Sequence, residues 1–202
     1  MKIVHVETLI SAGAFSRSTE WQSTRSAVTE AISKVTWPPR SKIFTIYPES
    51  GKKRHKGNGV TPIKNGLMKS LLKQGWKREI AIDIATFAKP GKFDAVFHTA
   101  GGPVALEWET GNISSSHRAL NKMALGLLKG VLAGGILIVP TRELYKYLTD
   151  RVGNWSEIKP YLDLWKAIPC NSGVLEIVVV EHDAVSTSVP RIPKGTSGRA
   201  LG

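Results

Sequence analysis

At 202 residues and 22.0 kDa the chain is long enough for one domain with one core, and 42% hydrophobic with 22% charged residues excludes disorder as its main state. A single cysteine, Cys170, excludes an internal disulfide framework and a multi-cysteine zinc site, and makes a reducing compartment the expectation. The net charge of +12 and a pI near 9.9 point to a polyanionic partner.

No stretch approaches the length of a bilayer-spanning apolar run, and Met1–Ile10 lacks the layout of a secretory signal, so a cytoplasmic protein is expected. Nucleic acid is the preferred partner over a membrane, because no Lys/Arg-rich amphipathic helix with an aromatic face is present. The positive charge is concentrated in residues 1–80, which hold fifteen Lys/Arg against five Asp/Glu. Its densest run, Lys52-Lys53-Arg54-His55-Lys56, lies between Gly51 and Gly57 without apolar periodicity and reads as an exposed loop. Such runs are commonly just solvated; in a chain this basic they also suit phosphate contact, which gives affinity without sequence information.

In chain order, Trp21, Ala27, Val28, Ala31 and Ile32 predict a first helix over 19–34, ended by Pro38-Pro39. Ile43–Tyr47 is a short β-prone run. Thr61-Pro62-Ile63 resembles a helix start with a hydroxyl N-cap, continued by Leu67, Met68, Leu71 and Leu72 on one face, with Lys64, Lys69 and Lys73 mostly on the other. Strands are predicted at Ile80–Ile84, at Phe93–Phe97, and at Val104–Trp108 after Gly101-Gly102-Pro103. Ser114–Leu128 predicts a helix with an Ala119, Leu120, Met123, Ala124, Leu127, Leu128 stripe. Ile136–Val139 predicts a central strand buried on both faces. Arg142–Leu148 and Ser156–Ile168 are expected to be helical, the second interrupted at Pro160, and Leu175–Val180 is the last strong strand. The Ser/Thr/Pro/Gly-rich residues 184–202 are expected to form an arm appended to a single domain over 1–183. Strands alternating with helices imply an α/β or α+β domain around a mixed sheet flanked by helices.

The chemistry concentrates between residues 79 and 109. In a strand, Glu107 and Glu109 project from the same side, and two acids on a buried face are costly unless something positive neutralises them. A hard divalent cation such as Mg2+ takes carboxylate oxygens for that purpose. A hairpin-like return at Gly101-Gly102-Pro103 would carry Asp94 beside Glu107, and Glu79 could add a fourth acid. Acids around Mg2+ in a basic protein suggest phosphodiester hydrolysis, whereas a solvent-facing Glu pair on an edge strand remains the plainer alternative.

The segment Glu107-Trp108-Glu109-Thr110-Gly111-Asn112-Ile113-Ser114-Ser115-Ser116-His117-Arg118 resembles the BamHI family of type II restriction endonucleases. The resemblance continues in order through Trp37-Pro38, Ser41–Ile46, Asn58–Lys64, Tyr147–Val152 and Val189–Gly195, and so covers most of the chain. It implies the PD-(D/E)xK nuclease fold with Glu in place of the usual Lys. It implies Asp94 and Glu107 as metal-binding carboxylates, Glu109 at the lysine position to activate water, Glu79 as an additional acid, and the Trp108 backbone carbonyl as a further ligand. Mg2+ would be the cofactor, Mn2+ a substitute, and Ca2+ an ion that binds without supporting cleavage.

The resemblance also implies DNA-reading residues, namely Asn112, Ser114 and Arg118 at the start of the helix and Asp150 with Arg151, and it implies Lys64 as a DNA contact. Their chemistry suits groove recognition: Arg bonds guanine, Asp accepts from cytosine, Asn and Ser serve either role. For each a plainer role exists, Ser114 as a helix cap and Asp150-Arg151 as a surface ion pair. His117 is read as structural or phosphate-contacting, not as a base. The implied target is GGATCC cut to 5′ overhangs. A palindrome implies a homodimer on double-stranded DNA, with the Ala119–Leu128 stripe and Trp155–Trp165 as candidate interface, or else ordinary core. The segment between Asp94 and Glu107 is shorter than in the family, the basic loop is longer and more cationic, and Arg199 stands where the family has an apolar minor-groove residue. A non-catalytic DNA-binding protein and a structure-selective nuclease of the same fold are the alternatives.

Overall fold

A computed structural model describes residues 1–51, 56–84, 91–149 and 152–194. The apolar run at 136–139 lies in β6 (Gly134–Pro140), which is buried along its whole length inside a six-stranded mixed sheet. Continuous apolar sequence is what a strand covered on both faces requires. β6 pairs in parallel with β5 (Gly102–Trp108) on one side and with β7 (Gly173–Glu181) on the other. Beyond β5 run β4 (Phe93–Thr99) and β3 (Lys77–Ile80), each antiparallel to its neighbour, and β1 (Lys2–Ala12) closes the far edge antiparallel to β7.

Helices cover both faces. Ile136 and Ile138 belong to the core beneath α1 (Thr19–Ser33) and α2 (Thr61–Leu72). Leu137 and Val139 belong to the opposite core, with Leu120, Met123 and Leu127 of α3 (Ile113–Leu128). α4 (Arg142–Tyr145) follows β6, while Ile158 of α5 (Trp155–Ile158) and Leu162 and Trp165 of α6 (Leu162–Lys166) complete the α3-side core. Each fully buried aliphatic side chain stabilises by roughly 1.5–3 kcal/mol relative to exposure, so the two cores set the sheet's position firmly between the helices.

Several elements differ from expectation. β1 is not among the expected strands; it carries register shifts after Ile3 and after Thr8, and these break the alternation that would mark it. The strand expected at Ile80–Ile84 lies earlier, at Lys77–Ile80. Its charged residues suit an edge strand, Glu79 turns at φ +56°, and the chain then leaves the sheet with Ile84 buried in the α3-side core. The hydroxyl cap expected at Thr61 does not form: Val60 is the N-cap, Thr61 is already helical, and no side chain caps the helix, while Pro62 in the first turn removes one of its orphan N–H groups. Asn112, not Ser114, caps α3, its side chain accepting from Ser115 N–H. The helix expected over Arg142–Leu148 stops at Tyr145, where the Tyr147 and Leu148 amides close tighter turns onto Leu144 and Tyr145. The interruption at Pro160 is present as a 3-10 turn, Lys159–Tyr161.

The stripe on α3 is core within one chain: Ala119, Leu120, Met123, Ala124 and Leu127 are buried, whereas Leu128 is exposed, as are Tyr161 and Leu164. At the C-terminal end β8 (Ala184–Val185) pairs in parallel with β2 (Thr45–Ile46). The chain then crosses the body: Trp37 Nε1 donates to the Pro190 carbonyl at 2.7 Å, Arg191 pairs with Glu49 at 2.7 Å, and Ile192 N–H donates to the buried Asn58 side chain at 3.1 Å.

Candidate active site

The β4–β5 hairpin sets the site. It turns through Ala100 and Gly101, and Gly102, at φ +121°, supplies the backbone geometry that an L side chain rarely adopts. The register that pairs Ala95 with Leu106 puts Asp94 opposite Glu107 at the open end of the ladder. On β5 Val104, Leu106 and Trp108 enter the α1/α2-side core, so Glu107 takes the other face, toward α3. Glu109 is the first residue past β5, held by its N–H bond to the Ile138 carbonyl at 2.9 Å.

Each acid is handled differently. Asp94 accepts from the Trp108 backbone N–H at 2.9 Å through Oδ2 and is ion-paired through Oδ1 with Lys64 of α2. Glu107 is paired with Lys122 of α3 at 2.7 Å. Glu109, only 5% exposed, accepts from Ser116 Oγ through Oε2 and from Gly111 N–H through Oε1. Desolvation by burial raises the Glu107 carboxyl, and the neighbouring Asp94 charge raises it further, against the pull of Lys122. Burial likewise pushes Glu109 up to about 7, with the hydrogen bonds from Ser116 and Gly111 opposing and the charges of Glu107 and Asp94 adding to the rise.

A cavity of about 480 Å³ is lined by Asp94, Glu107, Trp108 and Glu109 together with Arg118 and Lys122. Glu79 lies across from Asp94 along the β3–β4 pairing but is exposed, and it is not among the described residues lining the cavity. Among the described residues no three His, Cys, Asp or Glu side chains sit close enough to hold an ion between them. The oxygen donors are instead partnered by two ammonium groups. Asn112 and Ser114 are exposed at the start of α3, and Arg118 is exposed one turn on, its Nη2 3.5 Å from Ser115 Oγ. His117 packs against the rings of Tyr161 and Trp165. Asp150, Arg151, Arg199 and most of the basic loop, residues 52–55, lie outside the described residues.

Two residues of the site were not read from the sequence. Ser116 sits on the buried stripe of α3, where a polar side chain among Leu120, Met123 and Leu127 needs a buried partner. Lys122 follows Arg118 by one turn on the side of α3 that borders the sheet end, a placement visible only once β5 and α3 are packed together.

The sequence model of the family described as "Restriction endonuclease BamHI" matches residues 1–199. The chain is 46% identical over 201 residues to the type II restriction enzyme OkrAI of Oceanobacter kriegii, covering 100% of both chains. It is 36% identical over 185 residues to the type II restriction enzyme BamHI of Bacillus amyloliquefaciens, covering 88% of this chain and 82% of that one. Among solved structures, the restriction endonuclease BglII complexed with a DNA 16-mer superposes with a TM-score of 0.60 at 14% identity, over 91% of this chain and 79% of that one. Free BglII gives 0.52 at 13% identity, over 91% and 81%. These structural likenesses speak to the fold, a mixed sheet flanked by helices as expected from the sequence.

Proposed function

Because the chain belongs to the BamHI family of type II restriction endonucleases, we propose that it makes Mg2+-dependent double-strand cuts at a palindromic site, GGATCC, leaving 5′ overhangs. The observation that carries the chemistry is the convergence of Asp94, Glu107 and Glu109 on one cavity beside the start of α3. The donor set fits a hard cation: it is all oxygen, and both Asp94 and Glu107 already hold a positive partner, so the site is built to balance cationic charge. Asp94, Glu107 and the Trp108 carbonyl are the proposed ligands, with Glu79 the additional acid. Mn2+ is the proposed substitute, and Ca2+ is expected to bind without cleavage. When bound, the cation acidifies water and offsets charge on the scissile phosphate.

The protein's own contribution is positioning and proton transfer. Glu109 is neutral or ionised in comparable amounts near pH 7, as suits a group that accepts a proton from water, and its Oε2 is oriented by the Ser116 hydroxyl. Asp94 is oriented by the Trp108 N–H, which ties the ligand set to the β5 backbone. Asn112, Ser114, Arg118, Asp150 and Arg151 are the proposed readers of base edges, and Lys64, Arg199 and the basic loop the proposed further DNA contacts. A palindrome calls for two subunits; exposed Leu128, Tyr161 and Leu164 are where α3 and the 155–166 segment offer apolar surface to a second copy. No helix of the described residues is long and apolar enough to cross a membrane, and a cytoplasmic setting is proposed from the presence of a single cysteine and from the DNA substrate.

Digestion of DNA of known sequence, with Mg2+ and with EDTA, tests the proposal. Fragments ending at GGATCC only in Mg2+ are expected; an intact substrate, or cutting at branched DNA in preference to duplex, refutes it. Light scattering of the free protein at twice the chain mass is expected for the dimer.

A further inference from the structure

We propose that Lys122 is a positioning residue that occupies Glu107 in the metal-free protein and yields it to the incoming divalent cation, so that its ammonium sets how tightly the site takes metal. This rests on the reading above that Glu107 is a ligand. Lys122 Nζ lies 2.7 Å from Glu107 Oε1, 3.1 Å from the Lys92 carbonyl and 3.3 Å from the Gly91 carbonyl, and it sits 3.8 Å from the centroid of the Phe93 ring. An ammonium has three donors, and here each has an acceptor while a ring face offers a fourth favourable contact.

That set of partners separates Lys122 from an ordinary ion pair. The two carbonyls and the ring all belong to residues 91–93, at the start of β4 and beside Asp94. If Glu107 turns to a metal ion, the ammonium keeps these contacts and does not become a buried cation without partners. A divalent ion on Glu107 and an ammonium at hydrogen-bond distance from the same carboxylate repel each other strongly in a cavity so little exposed to water. The two therefore compete for one carboxylate. Until metal arrives, Lys122 keeps Glu107 oriented and its charge balanced, as Lys64 does for Asp94.

The test is Tb3+ binding without DNA, read by luminescence excited through tryptophan and displaced by Ca2+. It uses the full chain as wild type, Lys122→Met, Lys122→Met/Glu107→Gln, and Lys92→Met. The last variant removes an exposed cation from the same cavity wall without touching Glu107. Lys122→Met is expected to bind at least tenfold more tightly than wild type, Lys92→Met less than threefold, and the double variant is expected to lose the gain. Equal affinity in Lys122→Met and wild type, or no binding by either, overturns the role of Lys122. A gain that survives Glu107→Gln instead overturns Glu107 as a ligand, and the proposal with it. Wild type gives a second test in which no variant's affinity enters: in protein carrying 13C-labelled lysine, with the Lys122 signal assigned by its loss in Lys122→Arg, saturating Ca2+ must move the Lys122 ε signal. An unmoved signal overturns the proposal.

Discussion

Glu109→Gln separates the cost of the buried charge from its use. Burial pushes Glu109 up to about 7 from 4.5. The folded protein therefore prefers the neutral acid, and the stability tied to that preference is full below about pH 4.5 and is lost as pH rises through about 7. A rise of about 2.5 pKa units corresponds to about 3 kcal/mol of folding free energy once the group is ionised, and Glu109 is too buried for solvent to screen much of it. Glutamine keeps the shape: its oxygen can accept from Gly111 N–H while its amide donates to Ser116 Oγ. With EDTA present, urea unfolding of wild type and variant should show the variant gaining about 2–3 kcal/mol relative to wild type between pH 5 and pH 8. The same variant should bind cognate DNA in a gel-shift assay without cutting it. A relative gain under about 1 kcal/mol would refute the link between burial and this carboxyl's protonation.

Glu107→Ala should abolish cleavage while gel shifts with cognate duplex persist; cutting at the wild-type rate would reject Glu107 as part of the machinery. Gly153→Ala places a methyl against Ser116 Oγ and Ile113, so the hydroxyl must leave Glu109; the pH–rate profile should move to higher pH, since a donor that lowers the Glu109 pKa is removed, and an unchanged profile would reject that orienting bond. Asn58→Ala strips the buried bonds to Tyr47, Tyr147 and Ile192 and should cost about 2–4 kcal/mol in urea unfolding, with faster proteolysis after Arg191 as a second sign that the C-terminal crossing has loosened. Replacing Lys52, Lys53 and Arg54 with Ala should reduce the slope of log binding constant against log salt by about 2–3, with the preference for GGATCC over unrelated duplex retained.

How far the sequence could be read depended on what each residue depended on. β6 was legible because Ile136–Val139 needs cover on both faces whatever its neighbours are, and α3 because its buried stripe keeps one period for four turns. β3 lies earlier than the sequence suggests because the isoleucines at 80, 82 and 84 alternate while Lys77, Arg78 and Glu79 do not look like a strand; pairing at an edge, against β4, sets its position, and pairing is not a local property. β1 is hard to see in the sequence for the related reason that two irregularities in its pairing with β7 break the alternation. The acids were legible as an i, i+2 pair plus one residue across a hairpin. Lys122 and Ser116 were not, because their roles arise only where α3 meets the end of β5.

The same short segment carries the proposed reading residues and the supports of the acids. Gly111, whose N–H holds Glu109, precedes the cap residue Asn112; Ser116, which holds the other oxygen, lies between Ser114 and Arg118; Lys122 is one turn past Arg118. The Gly111 carbonyl in turn accepts from Gly153 N–H at 2.8 Å, two residues after Arg151. The proposed readers Asn112, Ser114 and Arg118 thus share the first two turns of α3 with Ser116, and the Gly111–Gly153 bond joins the Glu109 supports to a second part of the chain. Because Glu109 sits near its own midpoint at neutral pH, loss or gain of one donor changes its charge state far more than it would for a carboxylate titrating near pH 4. Under the proposed function, base contacts made from the start of α3 would act on the same backbone positions that orient Glu109, a physical route by which the right sequence would favour cutting over mere binding.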